Sequence, residues 1–320
     1  MTVAKDTRIL VLMGGWSAER EVSLASGGAV LAALSAGGYA AIGYDLAPTE
    51  DRKTAVASLL GKITEARSDV VYLALHGTFG EDGCVQGLLE AANVPYTGSG
   101  VLASALAMDK VAAKLVLVAS RIATPRFEVA SRGNVPAKPP FPLPVIVKPR
   151  AQGSSVGVTL VEKEEDFGPA VEKAQSFGDD ALVEVYVNGR EIEAPVLEGE
   201  PLPLIEVTPK NRFYDYEAKY TPGMSEHRVP APIPPRQYQA AQKLAASSHQ
   251  ALGCEGVTRV EMIAEETGTL YVIEVNTLPG MTATSLVPEA ARAAGMSFLD
   301  IVVRQVELAL RRGTRKEGVR

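Results

Sequence analysis

Four polar residues interrupt two apolar runs late in the chain. In GVTRVEMIAEETGTLYVIEVNTLPGM, residues 256–281, Arg259 and Glu261 alternate with Val260 and Met262, while Glu274 and Asn276 alternate with Ile273 and Val275. Successive strand side chains point to opposite faces, so each run gathers its polar residues on one face and leaves Ile273 and Val275 on the other. EETG can reverse the chain, with Gly268 able to take a positive φ. Such a hairpin would present Glu261, Glu274 and Asn276 as one oxygen-rich patch with Arg259 beside it. Closely spaced oxygen donors suit Mg²⁺ or Mn²⁺, which keep several waters and bind phosphates as well. A hairpin with a solvated polar face is the alternative that this pattern leaves open.

A second stretch bears on phosphate. AQGSSVG, residues 151–157, lies between two apolar runs and follows Lys148. Backbone N–H groups and the hydroxyls of Ser154 and Ser155 can wrap phosphate oxygens, and a lysine adds positive charge. A tight hairpin explains the same residues without function. GxxxxGK[ST] is absent and no convincing GxGxxG occurs, which removes the usual P-loop and dinucleotide signals. Lys110, Lys148, the glycine loop and the acidic hairpin together suggest a nucleotide held between two domains, with a divalent cation bridging its phosphates. That is the equipment of phosphoryl transfer.

The elements that must position these groups follow from periodicity. RILVLM at 8–13 ends in Gly14-Gly15, and strands then alternate with helices through the strand at 69–75 and the helix at 84–94. Alternation of this kind predicts a parallel sheet covered on both faces, with ligands beyond the carboxyl ends of its strands. Residues 1–100 are thus an α/β N-terminal unit. A helix is expected over 108–122, then a proline-rich loop and a strand, glycine loop, strand, helix and strand that complete a unit over 101–185. Residues 186–312 form a larger α+β unit with a polar loop at 208–225, a helix over 236–252, the hairpin and a last helix at 297–311; residues 313–320 read as a basic tail.

At 320 residues, 46% of them hydrophobic, the chain can build several cores. Its formal charge of −6 argues against a general affinity for nucleic acid. Three histidines exclude a histidine-rich metal centre, and the two cysteines, Cys84 and Cys254, lack metal-ligand spacing. No signal-peptide cleavage region and no apolar run long enough to span a bilayer appear, so a cytoplasmic, membrane-free protein is expected.

Several stretches are longer than chance allows. GGWSAEREVSL (14–24), LHGTFGEDG (75–83), PYTGSGVLASALAMDK (95–110), VIVKPRAQGSSVG (145–157), FYDYEAKY (213–220), IEVNTLPGMTATSLVP (273–288) and AGMSF (294–298) occur in the order found in the D-alanine–D-alanine ligases, ATP-grasp enzymes that the chain resembles from residue 8 to 310. The resemblance implies an ATP-grasp fold behind an α/β N-terminal domain, a homodimer formed through that domain, and a reaction that joins two D-alanines through a D-alanyl phosphate. A ligase of the same fold that joins D-alanine to D-lactate is the alternative, although such enzymes usually depart from FYDYEAKY.

The resemblance also implies roles. Glu19 would hold the first D-alanine's ammonium, with His76 near the same substrate. Ser154 and Tyr220 would close over the dipeptide site, and Lys219 would reach the transferred phosphoryl group from a lid around 208–225. Arg259 and the Gly280 N–H would stabilise developing negative charge, and Ser285 with Leu286 would take the second D-alanine's carboxylate. Lys110, Lys148 and Ser155 would serve ATP, with Glu184, Val187 and Glu191 as purine and ribose contacts. Glu261, Glu274 and Asn276 would hold two Mg²⁺ or Mn²⁺ ions. The family commonly has aspartate where this chain has Glu261.

Overall fold

The computed structural model describes residues 3–49, 51–210 and 224–313. Lys219, Tyr220, most of the expected lid and the tail at 314–320 lie outside them.

The first apolar run becomes β1 (Ile9–Gly14), the central strand of a parallel sheet ordered β2–β1–β3, with β2 at Ala41–Leu46 and β3 at Val70–Leu73. Helices α1 (Arg20–Ala36) and α2 (Arg52–Glu65) make the crossovers. Strand alternation divides the core between two faces. Ile9 and Val11 pack with Val30 and Leu34 of α1, whereas Leu10 and Leu12 pack with Leu59 and Ile63 of α2. α3 (Cys84–Ala91) adds Val85 and Leu89 to the second face.

A four-stranded antiparallel sheet follows, ordered β4–β7–β5–β6, from β4 (Phe127–Ala130), β5 (Val145–Pro149), β6 (Thr159–Val161) and β7 (Ala181–Val185). α6 (Phe167–Gln175) covers it with buried Phe167, Val171 and Ala174. Before this sheet, the helix expected over 108–122 forms as Lys110–Ala119, and a separate short helix precedes it, the two meeting at Asp109. α4 (Val101–Met108) ends there, and the Asp109 carboxylate accepts from the N–H groups of Val111 and Ala112 at 3.0 Å each to cap α5 (Lys110–Ala119). Arg150 clamps Asp109 at 2.7 Å and Asp180 at 3.0 Å, tying this cap to the end of β5.

The largest sheet runs β11–β10–β8–β12–β13, all antiparallel: β8 (Arg190–Leu197), β10 (Ile205–Pro209), β11 (Ser225–Arg228), β12 (Val257–Ala264) and β13 (Leu270–Asn276), with β9 (Glu200–Pro201) paired to β8. Its apolar face packs on α7 (Pro235–Ala251) and on α4 and α5. After α8 (Leu286–Ala293), the last helix α9 (Phe298–Arg312) returns to the first sheet. Its Ile301, Val302 and Val306 share a core with Ile9 and Val11, and Gln305 donates to the Tyr72 hydroxyl at 2.8 Å. AGMSF is thereby explained locally. Ser297 and Asp300 form a reciprocal capping box, with Asp300 N–H on Ser297 Oγ at 3.1 Å and Ser297 N–H on Asp300 Oδ2 at 2.8 Å.

Candidate active site

The hairpin forms with the expected register. Arg259 lies opposite Asn276 and Glu261 opposite Glu274, and the turn uses Gly268 at φ +96°. One feature differs from strict alternation. A β-bulge beyond Glu261 shifts the pairing so that Met262 faces Val272 rather than Ile273. Ile273, expected on the face opposite Glu274, consequently lines the same cavity as Glu274, and Val275 stays buried on the apolar face.

Two cavities meet at this hairpin. One, of about 550 Å³, opens between the first sheet, the glycine loop and the segment after β13, and Glu19, His76, Lys110, Ser154, Arg259, Glu274, Asn276, Gly280, Ser285 and Leu286 line it. The other, of about 140 Å³, lies between the two antiparallel sheets and is lined by Lys110, Lys148, Ser155, Glu184, Val187, Glu191, Glu261 and Glu274. Every expected site residue among those described thus faces one cavity or the other, and Lys110 and Glu274 face both.

At the first cavity, Glu19 sits at the N-terminus of α1 without capping it. Ser154 donates to Glu19 Oε1, which joins the glycine loop to the first sheet. Backbone crowds the carboxylate on two sides: a Cβ on Gly77 (φ +66°) would fall 2.7 Å from Glu19 Oε2, and one on Gly153 would fall 2.8 Å away. These two glycines are spaces that the carboxylate requires. Ser154 and Ser155 themselves have φ of +50° and +57°, a strained pair of the kind that clusters at ligand clamps.

His76 is fixed by its partners. Its Nδ1 lies 2.9 Å from the Leu278 carbonyl, which can only accept, so Nδ1 carries the proton. Nε2 then accepts from Ser26 Oγ at 3.1 Å, and Ser26 Oγ accepts from the Met281 N–H at 3.1 Å. Burial lowers the pKa of His76 and outweighs the pull of Glu19, so the ring is neutral. This chain of bonds joins α1, the end of β3 and the loop after β13. On that loop, Ser285 Oγ accepts from Thr282 N–H at 3.0 Å, and Ser285 precedes the first turn of α8. The N–H groups of that turn favour an anion.

Other residues of the site are not among those expected from the sequence. Glu81 is buried in the first cavity and accepts from the N–H groups of Gly77 at 2.7 Å and Leu278 at 3.3 Å. Burial, helped by the Glu19 charge, raises its pKa to about 8. Between the ordinary 4.5 and 8 the folded state holds a proton that the unfolded chain has released, so stability falls as pH rises through that window. Glu81→Gln cannot titrate, and denaturant melts of this variant should show a flatter pH dependence there. An unchanged slope would mean that Glu81 ionises normally. Glu193, also buried, lies opposite Glu261 across β8–β12 and 2.9 Å from Arg259 Nε. Its spacing of two from Glu191 places both on one strand face, which was a readable cue. His227 lines the first cavity and pairs with Glu289 at 2.8 Å.

The second cavity holds a buried charge cluster. Glu184 Oε2 lies 2.6 Å from Lys148 and Oε1 lies 2.5 Å from Lys114, a helix residue four positions after Lys110. Burial alone would raise the pKa of Glu184, but the two ammonium groups overcome it and hold the carboxylate ionised. Lys110 donates to the Gln152 carbonyl at 2.6 Å and lies 3.7 Å from Glu274. The Glu191, Glu193 and Glu261 carboxylates fall within 4.8 Å of one another. Carboxylate and amide oxygens directed at a cavity beside lysines are a donor set that fits a hard divalent cation and phosphate.

Comparison with known proteins agrees with this geometry. Residues 45–99 match the family described as D-ala D-ala ligase N-terminus, and residues 123–307 match D-ala D-ala ligase C-terminus. The D-alanine–D-alanine ligase of Geotalea uraniireducens is 48% identical over 94% of this chain and 94% of its own length, and that of Geobacter sulfurreducens is 47% identical over 94% and 93%. A crystal structure of the Bacillus anthracis ligase complexed with ATP superposes with a TM-score of 0.83 at 31% identity, covering 98% of this chain and 99% of that one. The Coxiella burnetii ligase gives 0.83 at 25% identity over 99% and 97%. The fold is ATP-grasp behind a parallel-sheet α/β unit, and the chain belongs to the D-alanine–D-alanine ligase family.

Proposed function

We propose that this protein is an ADP-forming ligase that joins two D-alanines. The carboxylate oxygen of the first D-alanine attacks the γ-phosphorus of ATP, and ADP leaves. The amine of the second, having lost a proton, attacks the carbonyl carbon of the resulting D-alanyl phosphate. The C–O bond to phosphate breaks, giving D-alanyl-D-alanine and inorganic phosphate for peptidoglycan. The observation that carries this reading is the pair Lys110 and Glu274, which line both cavities and so stand where a phosphoryl group would pass from nucleotide to amino acid.

Each residue then has a task. Glu19, braced by Ser154, receives the first ammonium, and neutral His76 holds the wall behind it. Arg259 and the N–H of Gly280 face the oxygens on which charge develops. Ser285 and Leu286, at the start of α8, receive the second carboxylate. Glu184 and the backbone near Val187 contact the purine, Glu191 the ribose, and Lys110, Lys148 and Ser155 the phosphates. Glu261, Glu274 and Asn276 would hold Mg²⁺ or Mn²⁺, which neutralises phosphate charge when bound. Tyr220 and Lys219 would complete the site from the lid, outside the described residues. The three sheets fall within the units 1–100, 101–185 and 186–312, while α4 and α5 at the start of the second unit pack on the third sheet. ATP as cosubstrate and two free thiols, Cys84 and Cys254, suit the cytoplasm.

In the assay, ADP, phosphate and a dipeptide mass should form in equal amounts with D-alanine and not with L-alanine. ADP release without dipeptide would defeat the proposal. Two copies are expected to pair. The resemblance puts that pairing in the N-terminal unit; the exposed apolar surface lies just beyond it, at Leu102, Leu115 and Val118 on α4 and α5, which pairing beside that unit would bury. Light scattering should give a dimer mass, and Leu115→Glu with Val118→Glu should give a monomer; an unchanged dimer would move the interface elsewhere.

A further inference from the structure

The buried lysine behind Glu184 has no place in the scheme above. Lys114 does not line the nucleotide cavity, and its side chain is 1% exposed. It donates to Thr124 Oγ1 at 2.5 Å and lies 5.6 Å from the Phe127 ring centroid. Glu184 alone would be neutralised by Lys148, so a second buried cation is not needed for charge balance. Burying an ammonium is costly unless it is paired, so it calls for a specific role. The geometry supplies one. Each Glu184 oxygen is held by a different ammonium, Oε1 by Lys114 and Oε2 by Lys148. Two points of attachment fix the plane of the carboxylate, and two positive charges keep it ionised and therefore only an acceptor.

We infer that Lys114 is a positioning residue for base selection: by holding Glu184 Oε1 while Lys148 holds Oε2, it fixes the orientation in which the carboxylate accepts from an exocyclic amino group at the purine six-position. An amino purine donates there and is accepted. A six-oxo purine presents an acceptor to an acceptor and is rejected. The inference rests on the reading of Glu184 as the purine contact.

The test is equilibrium binding of ADP and of IDP, which differ at the six-position, to the full-length wild type and to Lys114→Met, Glu184→Gln and the double variant. Lys114→Gln serves as a second replacement should the methionine variant fail to fold, and thermal melts confirm folding. A hydrogen bond to a charged group carries about a 10- to 100-fold effect on affinity. Lys114→Met should therefore weaken ADP by about 10-fold with IDP changed less than about two-fold. In the Glu184→Gln background it should change the ADP-to-IDP ratio no further. If Glu184→Gln leaves the ratio at the wild-type value, the purine reading of Glu184 fails and this inference with it. If Glu184→Gln collapses the ratio while both Lys114 variants preserve it, the purine reading stands and the role of Lys114 is overturned. Equal weakening of both nucleotides by the Lys114 variants would likewise overturn it.

Discussion

Arg259→Met should lower kcat by about 10²- to 10³-fold, the loss found when one donor to a developing oxyanion is removed. The guanidinium lines the first cavity and is steered by Glu193, 2.9 Å from its Nε and buried. The same substitution has a second consequence. It removes the cation paired with a buried carboxylate, which costs about 3–5 kcal/mol of stability. A low kcat in the single variant could thus reflect a weakened fold. Arg259→Met with Glu193→Gln separates the two effects, because the neutral amide no longer needs a counter-charge. The double variant should recover most of the lost stability in denaturant melts and none of the lost kcat. Recovery of kcat would show that Arg259 serves the fold and not the reaction.

Glu274→Gln is expected to be comparably damaging for a different reason. Glu274 lies opposite Glu261, lines both cavities and stands 3.7 Å from Lys110. The amide keeps the shape and loses the charge that a hard cation selects. Partners that merely orient a ligand are worth about 10- to 100-fold in metal affinity, so a direct ligand should cost more than about 100-fold. Mn²⁺ binding in the presence of ADP, followed by paramagnetic resonance, reads this without turnover. Lys110 would also lose its carboxylate partner, and the nucleotide affinity in the absence of metal gives that contribution separately. Unaltered Mn²⁺ binding would remove Glu274 from the metal site.

The parts of this site that are legible in sequence are those set by local pattern. Arg259, Glu261, Glu274 and Asn276 can be placed on one face because alternation needs no knowledge of the partner strand, and the pairing agrees. The bulge that turns Ile273 toward the cavity is invisible there, since it exists only as a mismatch between two strands. The return of α9 onto the first sheet is equally hidden. Ile301 and Val306 declare an apolar face but not which sheet it will cover. Buried charges are the hardest to read. Lys114, Glu193 and Glu81 look like solvated positions until Glu184, Arg259 and the backbone N–H groups of Gly77 and Leu278 are set against them. Asp109 belongs with the legible parts, because a capping residue at the start of the helix expected over 108–122 is a local signal.

The most direct measurement of the central claim follows oxygen. D-alanine labelled with ¹⁸O in both carboxylate positions is incubated with the protein, ATP and Mg²⁺, and the released phosphate is analysed by mass. If the carboxylate attacks phosphorus and the amine later displaces phosphate, one labelled oxygen must leave with each phosphate. That is the expected result, with dipeptide in equal amount and one ¹⁸O left at the new amide carbonyl. Unlabelled phosphate alongside labelled dipeptide would mean that ATP is hydrolysed without an acyl phosphate, and it would contradict the account of this site.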